Sequence, residues 1–283
     1  MVALLAGTLL AACSHSVSTA LPPGVTVDVY QSRFDYADHT LAVAVKNSSA
    51  HPFTVRELSF SSPTYSPAAV YERAPTTVRP GTSTDFRVTL PAADCDAQPG
   101  DPRVHIRYTT GPIDSAETTG EVTFAPQDRM GQLPFLAAED CRGHAVDEVA
   151  NIEPASALRF ISLAGETPAV LDFTATPTGA GGVLTIEDVR GTVLLDAVNP
   201  ATGKTGEIIP LGLDIGAASA PVSFSLTLIP ARCDPHVVME DKRGTFFTFT
   251  VTTKLDTGRI YVGVGDDVRG QLYDYVQRHC GWA

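Results

Sequence analysis

Basic residues are scarce in this sequence. Its 283 residues include 20 Lys and Arg against 32 Asp and Glu, which gives a formal net charge of −12. Because an acidic surface repels a phosphate backbone, we expect no nucleic-acid partner. Anionic lipid headgroups would be repelled too, so we expect any attachment to a membrane to rely on something other than charge.

Signatures of the common enzyme classes are missing as well. The sequence contains no G-x-S-x-G, no H-E-x-x-H and no EF-hand loop. Gly203-Lys204-Thr205 matches the end of a phosphate-binding loop, but Val198 stands where that motif needs glycine. The seven histidines are scattered, without the close spacing of metal ligands. We therefore predict a protein that is not an enzyme and that holds no cofactor.

The chain opens on an uncharged apolar segment, residues 2–12, which is too short to span a bilayer. This segment leads into Leu10-Ala11-Ala12-Cys13, which resembles the lipobox of bacterial lipoprotein signal peptides. The resemblance covers residues 1–13 and implies that residues 1–12 are removed and that Cys13 receives a diacylglyceryl group. Acylation of this kind would anchor the protein stably on the extracytoplasmic face of the cell membrane. A plain secretory signal and a buried N-terminal strand are the alternatives.

An internal repeat organises the rest of the chain. Residues 86–96 align without a gap with residues 224–234, and six of the eleven positions are identical. A second block, around Gln132 in the first copy and Gln271 in the second, matches in the same order. Two matching blocks at matching spacing indicate a duplicated module.

The cysteines follow the same repeat. Beyond Cys13, an even number of cysteines in an exported chain indicates disulfides. Because the repeat places two of them in each copy, it predicts one bridge per module. The predicted bridges are Cys95–Cys141 and Cys233–Cys280.

Short segments of alternating apolar and polar residues, separated by turn residues, predict strands throughout both copies. The expected fold class is all-β, with two tandem immunoglobulin-like β-sandwich modules. Each module should end in a short helix. In the second copy Leu272, Tyr275, Val276 and His279 fall on one helical face. The single Trp282 lies at the far end, so the likeness to an immunoglobulin domain is one of architecture.

These observations predict the organisation of the chain. The expected segments are a signal peptide (1–12), a lipid-anchored tether (13–23), module one (24–142), a linker (143–154) and module two (155–283).

One loop is the strongest candidate for a binding site, residues 234–244, directly after Cys233. His236, Glu240 and Asp241 could converge on a metal ion, because imidazole and carboxylates suit several divalent cations. Alternatively, Lys242 and Arg243 could hold an anionic partner. A solvated loop is the third interpretation. Asp234 also stands in the first copy, as Asp96, but that copy has no counterpart of the His, Glu and Lys residues.

The leading functional hypothesis is a membrane-anchored binding or scaffold protein of the cell envelope. Its partner would be another envelope protein or a cell-wall polymer. The alternative is a metal-binding protein or metal-assisted hydrolase that uses residues 234–244.

Overall fold

The computed structural model describes residues 18–111, 118–163, 165–199, 202–206, 208–241 and 245–282. They fold into two β-sandwich modules of antiparallel sheets, each followed by a helix. The predicted fold class is therefore confirmed.

Apolar and polar residues alternate along the strands of module one, and the apolar residues face inward. Its described strands are β1 (Val25–Tyr30), β2 (Thr40–Asn47), β3 (Phe53–Ser61), β4 (Ala69–Val70), β5 (Thr76–Val78), β6 (Thr82–Thr89), β7 (Arg103–Thr110) and β8 (Thr118–Phe124). One sheet has the order β1-β2-β6, and the other has the order β4-β3-β7-β8 with β5 also paired to β3. Phe53, Phe60 and Phe86 fill the space between the sheets and are completely buried.

The helix α1 (Gln132–Val149) follows module one. The described elements of module two are β9 (Ala150–Pro154), β10 (Arg159–Phe160), β11 (Ala169–Pro177), β12 (Val183–Arg190), β13 (Leu195–Val198), β14 (Thr205–Gly206), β15 (Ile208–Gly216), β16 (Val222–Pro230), α2 (His236–Glu240), β17 (Phe246–Thr252), β18 (Thr257–Gly263) and α3 (Asp266–His279). One sheet has the order β10-β11-β16-β13-β14 with β9 also paired to β11, and the other has the order β15-β12-β17-β18. Phe173, Phe247 and Phe249 form the centre of its core.

The two modules share a topology as well as a sequence repeat. The sheet segment β1-β2-β6 corresponds to β9-β11-β16, and β3-β7-β8 corresponds to β12-β17-β18. Even an irregularity recurs, because the register shifts between Val55 and Glu57 in β3 and between Ile186 and Asp188 in β12. A β-bulge kept at the same place in both copies is a feature of the fold and not a defect.

Both predicted disulfides are present. Cys95 bonds Cys141 within α1, and Cys233 bonds Cys280 at the end of α3. Each closes a loop of about 46 residues, for which the chain-entropy estimate is roughly 4 kcal/mol of stabilisation. In both modules the bridge fastens the helix to the segment that follows the repeated strand, β6 or β16.

The repeated glutamines also have equivalent contacts. The side-chain amide of Gln132 accepts from the backbone N–H of Gln31 at 2.9 Å and donates to its carbonyl at 3.2 Å. Gln271 accepts from the N–H of Leu158 at 2.9 Å and donates to the carbonyl of Ser156 at 3.3 Å. Each glutamine thus ties its helix to the segment that follows the first strand of its module.

The segment 143–154, which the sequence suggested as a linker, is regular secondary structure. It comprises the last two turns of α1 and strand β9, which pairs with β11. The reason lies in the helix, since Leu136 is buried in the core of module one whereas Val146 and Val149 are buried in the core of module two. One helix therefore belongs to both cores.

An arginine clamp reinforces this connection. Arg142 of α1 donates from Nε and Nη2 to Asp256 at 2.9 and 2.6 Å, and from Nη1 to the carbonyl of Arg259 at 3.0 Å. Gly258 makes room for it, because a Cβ there would lie 2.2 Å from the Arg142 Cζ. Lys254 and Glu148 add an ion pair of 2.6 Å nearby.

The first described residues are not a free tether. Ser18 pairs with the edge of β8, donating to the Thr119 carbonyl at 3.2 Å and accepting from the Glu121 N–H at 2.9 Å. The Tyr108 hydroxyl donates to the Ala20 carbonyl at 2.6 Å, and its ring lies over Gly120, where a Cβ would clash. We call residues 18–24 the strap. Among the described residues, no helix has the length and apolar character that a membrane crossing needs.

We predict that Gly258→Ala lowers the free energy of unfolding by about 1.5–3 kcal/mol, because the new methyl displaces the Arg142 guanidinium from its charged hydrogen bonds. The measurement is urea unfolding of the oxidised protein. Gly270→Ala is the matched control. Its Cβ meets open space in α3, so it should stabilise by about 0.5–1 kcal/mol. Equal stability of Gly258→Ala and wild type would show that the clamp contributes nothing.

Candidate functional site

Residues 234–241 of the predicted loop form a turn followed by the short helix α2 (His236–Glu240). The Asp234 carboxylate accepts from the His236 backbone N–H at 3.0 Å, which lowers the pKa of Asp234, and lies 3.0 Å from His236 Nδ1. Glu240 forms an ion pair with Arg232 at the surface. These contacts hold the turn locally.

Asp241 has a different environment, because it is buried. Its carboxylate accepts from the Thr245 N–H at 3.1 Å, the Thr245 hydroxyl at 2.5 Å and the Tyr273 hydroxyl at 3.0 Å. Burial, together with this carboxylate, raises the pKa of Tyr273 to about 12. Asp241 thus joins α3 to the start of β17.

The structure therefore does not bring His236, Glu240 and Asp241 together. Within the described ranges, no three or more His, Cys, Asp or Glu side chains are grouped to hold a metal ion. Cys13, Lys242 and Arg243 lie outside the described residues.

A cleft of about 640 Å³ lies between the modules, over α1. One wall is the segment 31–40 of module one, and the opposite wall comes from β17 and β18 of module two. Its lining residues are Gln31, Tyr36, His39, Ala92, Ala93, Leu136, Glu139, Asp140, Gly143, His144, Asp147, Phe246, Ile260 and Tyr261. The cleft exists because α1 fixes the two modules side by side.

Segment 31–40 is held by the buried Asp35. Its carboxylate accepts from the Ser32 N–H at 2.8 Å, the Ser32 hydroxyl at 2.5 Å, the Thr40 hydroxyl at 3.1 Å and the Arg87 Nε at 2.6 Å. Burial alone would raise the pKa of Asp35, but the hydrogen bonds from Ser32 and Arg87 outweigh it and lower that pKa. Asp35 thereby positions Tyr36 and His39 at the cleft.

His39 joins this wall to α1. Its Nδ1 lies 3.3 Å from the Leu90 carbonyl and its Nε2 lies 3.1 Å from Asp140, which also accepts from the buried Tyr65 hydroxyl. Since both ring nitrogens face acceptors, the ring makes both hydrogen bonds only as an imidazolium. The hydrogen bond to Asp140 raises the pKa of His39. His39 also has a positive φ of 48°, an uncommon backbone conformation that these contacts maintain.

The floor of the cleft is acidic. Glu139, Asp140 and Asp147 project from α1 with His144, and the described lining includes no lysine or arginine. Although Asp147 touches solvent, the surrounding protein displaces enough water to raise its pKa. The rings of Tyr36 in module one and Tyr261 in module two pack edge to face, with their centroids 5.8 Å apart. Carboxylates beside aromatic rings favour a cationic or neutral group over a phosphate.

Sequence reasoning missed this cleft. His39 and Asp140 are 101 residues apart, and Tyr36 and Tyr261 belong to different modules. The only local signal was the cluster of acids and histidine between residues 139 and 147, which lay partly in the expected linker.

We predict that Asp35→Asn lowers the free energy of unfolding at neutral pH by about 2–4 kcal/mol, because it leaves Arg87 without its buried carboxylate. The lowered pKa of Asp35 means that its contribution is present above the unfolded value of about 3.9 and is lost as the pH falls through the folded pKa. The acid limb of the stability profile should therefore flatten in the variant. Asp38→Asn, an exposed change in the same segment, should leave both stability and profile unaltered.

We predict a second pH dependence at His39. Because the pKa of His39 is raised in the folded state, its contribution to the free energy of unfolding is complete below about pH 6.5. That contribution is lost as the pH rises through the folded pKa. Thermal unfolding across pH 5.5–8.5, a range of about three units around that value, should show a decline that His39→Gln abolishes. The exposed His51 is the control, and an identical decline in His39→Gln and His51→Gln would contradict this assignment.

Comparisons with known proteins give no family. No protein-family model matches the sequence, and no curated protein matches it. Among solved structures, an Amycolatopsis orientalis exo-chitosanase shares 12% identity over 85% of this chain, with a TM-score of 0.18. This chain spans only 26% of that enzyme's length. A class 5 fimbriae chaperone shares 10% identity over 81% of this chain and 93% of its own, with a TM-score of 0.16. Neither likeness is close enough to indicate a function.

Proposed function

We propose that this chain is an extracytoplasmic lipoprotein, anchored through Cys13, that acts without catalysis as a binding or scaffold module of the cell envelope. The cleft between the modules is its binding surface. The observation that carries this proposal is the cleft itself, because α1 and the Arg142 clamp hold its two walls at a fixed separation. A preformed concave surface binds at a smaller entropic cost than a surface that must first be ordered.

The two disulfides support an extracytoplasmic location. Disulfides of this structural kind form and persist in oxidising compartments and are rare in a reducing cytosol. The resemblance of residues 10–13 to a lipobox supports the same location, because a lipobox cysteine is acylated outside the cytoplasm.

The contacts of His39 support a binding role for this wall of the cleft over a catalytic one. His39 uses both ring nitrogens within the protein, one toward the Leu90 carbonyl and the other toward Asp140. A general base needs a free acceptor atom toward its substrate. His39 instead builds the wall of the cleft.

The partner that fits is an envelope protein, or a cell-wall polymer, that presents amine or guanidinium groups. Such groups would meet the acidic floor of the cleft at the Asp147 carboxylate, beside the Tyr36–Tyr261 aromatic pair. Nucleic acid does not fit, because the described lining is acidic.

The test is a crosslinking pull-down of the full-length protein from its own membranes. We expect one dominant partner with wild type and a loss of about tenfold in its recovery with Asp147→Asn, equivalent to about 1.4 kcal/mol. Asp274→Asn is the matched control, because Asp274 is an exposed aspartate on α3 away from the cleft. Equal recovery of the partner by both variants would overturn the cleft as the binding surface. Recovery of nothing from wild type would overturn the scaffold role.

A further inference from the structure

The strap reaches module one at one end of its sandwich. Ser18 pairs beside Thr119, near the start of β8, and the Gly24 carbonyl accepts from the Ser48 N–H in the turn between β2 and β3. The Gly81 N–H in turn donates to the Asn47 carbonyl. The turns at Gly24, Asn47, Gly81 and Gly111 therefore lie together, and we call this end of module one the strap pole.

The cleft lies at the opposite end of the same sandwich. Strand β1 runs from the strap pole at Val25 to Tyr30, where segment 31–40 begins. Strand β6 runs the same way, from Thr82 to Thr89, and leads to Leu90, which contacts His39. The five rises from Val25 to Tyr30 extend over about 17 Å, so the strap pole and the start of segment 31–40 are separated by about that length.

Few residues separate the strap from the acylation site. Five peptide units join Cys13 to Ser18, and a chain of that length spans at most about 18 Å. The strap therefore removes most of the length that an undocked tether of residues 13–23 would provide.

We propose that the strap holds the acylated protein upright, with the strap pole against the membrane surface and the cleft directed away from it. This inference rests on the proposed acylation of Cys13. The partner of the pole is the bilayer surface, which the protein reaches through its anchor. The cleft then takes its own partner from the space beyond the membrane and not from the lipid.

The upright orientation can be tested on the full-length acylated chain in lipid vesicles. A donor dye is attached to Ala50→Cys, an exposed position at the strap pole, or to Leu255→Cys, an exposed position in module two. An acceptor dye is carried by lipid headgroups. We expect efficient energy transfer from position 50 and a large loss of transfer at position 255.

A longer tether provides the second arm of the experiment. About 20 Gly and Ser residues inserted before Ser18 add a root-mean-square span of about 25 Å. Energy transfer from the dye at position 50 should then fall, while energy transfer from the dye at position 255 changes little. The mass of the purified protein reports the diacylglyceryl group on Cys13.

The outcomes separate the two proposals. A protein without the acyl group would overturn the anchor, and the orientation with it. An acylated protein with equal transfer from both positions, or with transfer from position 50 unaffected by the insertion, would overturn the orientation alone.

Discussion

The membership of α1 in two hydrophobic cores is the constraint on which the rest of the structure depends. Leu136 is buried in module one, and Val146 and Val149 are buried in module two, within a single continuous helix. Rotating or displacing one module would expose apolar side chains of this helix, at about 25 cal/mol per Å² of apolar surface. The hydrophobic effect therefore holds the two modules together. The directional hydrogen bonds of Arg142 to Asp256 restrict how module two can turn about the helix.

The cleft follows from this arrangement, because the part of α1 between Leu136 and Val146 crosses from one module to the other. Glu139 and Asp140 line the cleft from this part of the helix, and Asp147 lines it from the turn between Val146 and Val149. Two carboxylates accept the hydrogen bonds that hold the wall of module one in place. Asp35 accepts them within segment 31–40, and Asp140 of α1 accepts one from His39. An acidic protein thus uses buried and half-buried carboxylates as fixed acceptors that organise its loops.

The sequence predicted the repeated features well. Alternation predicted strands throughout both copies, because inward and outward residues differ clearly along strands such as β1. The disulfide pairing followed from the repeat. Strand β9 and the end of α1 were not predicted, since their apolar residues are few and are buried only by module two. The cleft was beyond prediction for a similar reason, because its groups come from distant segments that only the packing of α1 brings together.

The helix also determines how tension would pass through the molecule. A pull on the strap enters module one at β8, and a pull on module two enters through α1. Because Cys141 lies within α1, the disulfide carries that load covalently to Cys95, and the residues between the two cysteines cannot be drawn out. In module two the Cys233–Cys280 disulfide carries load past the intervening residues in the same way. Spans of 46 and 47 peptide units are thereby removed from the extensible length of the chain, so each sandwich can lengthen only through the strands outside its bridge.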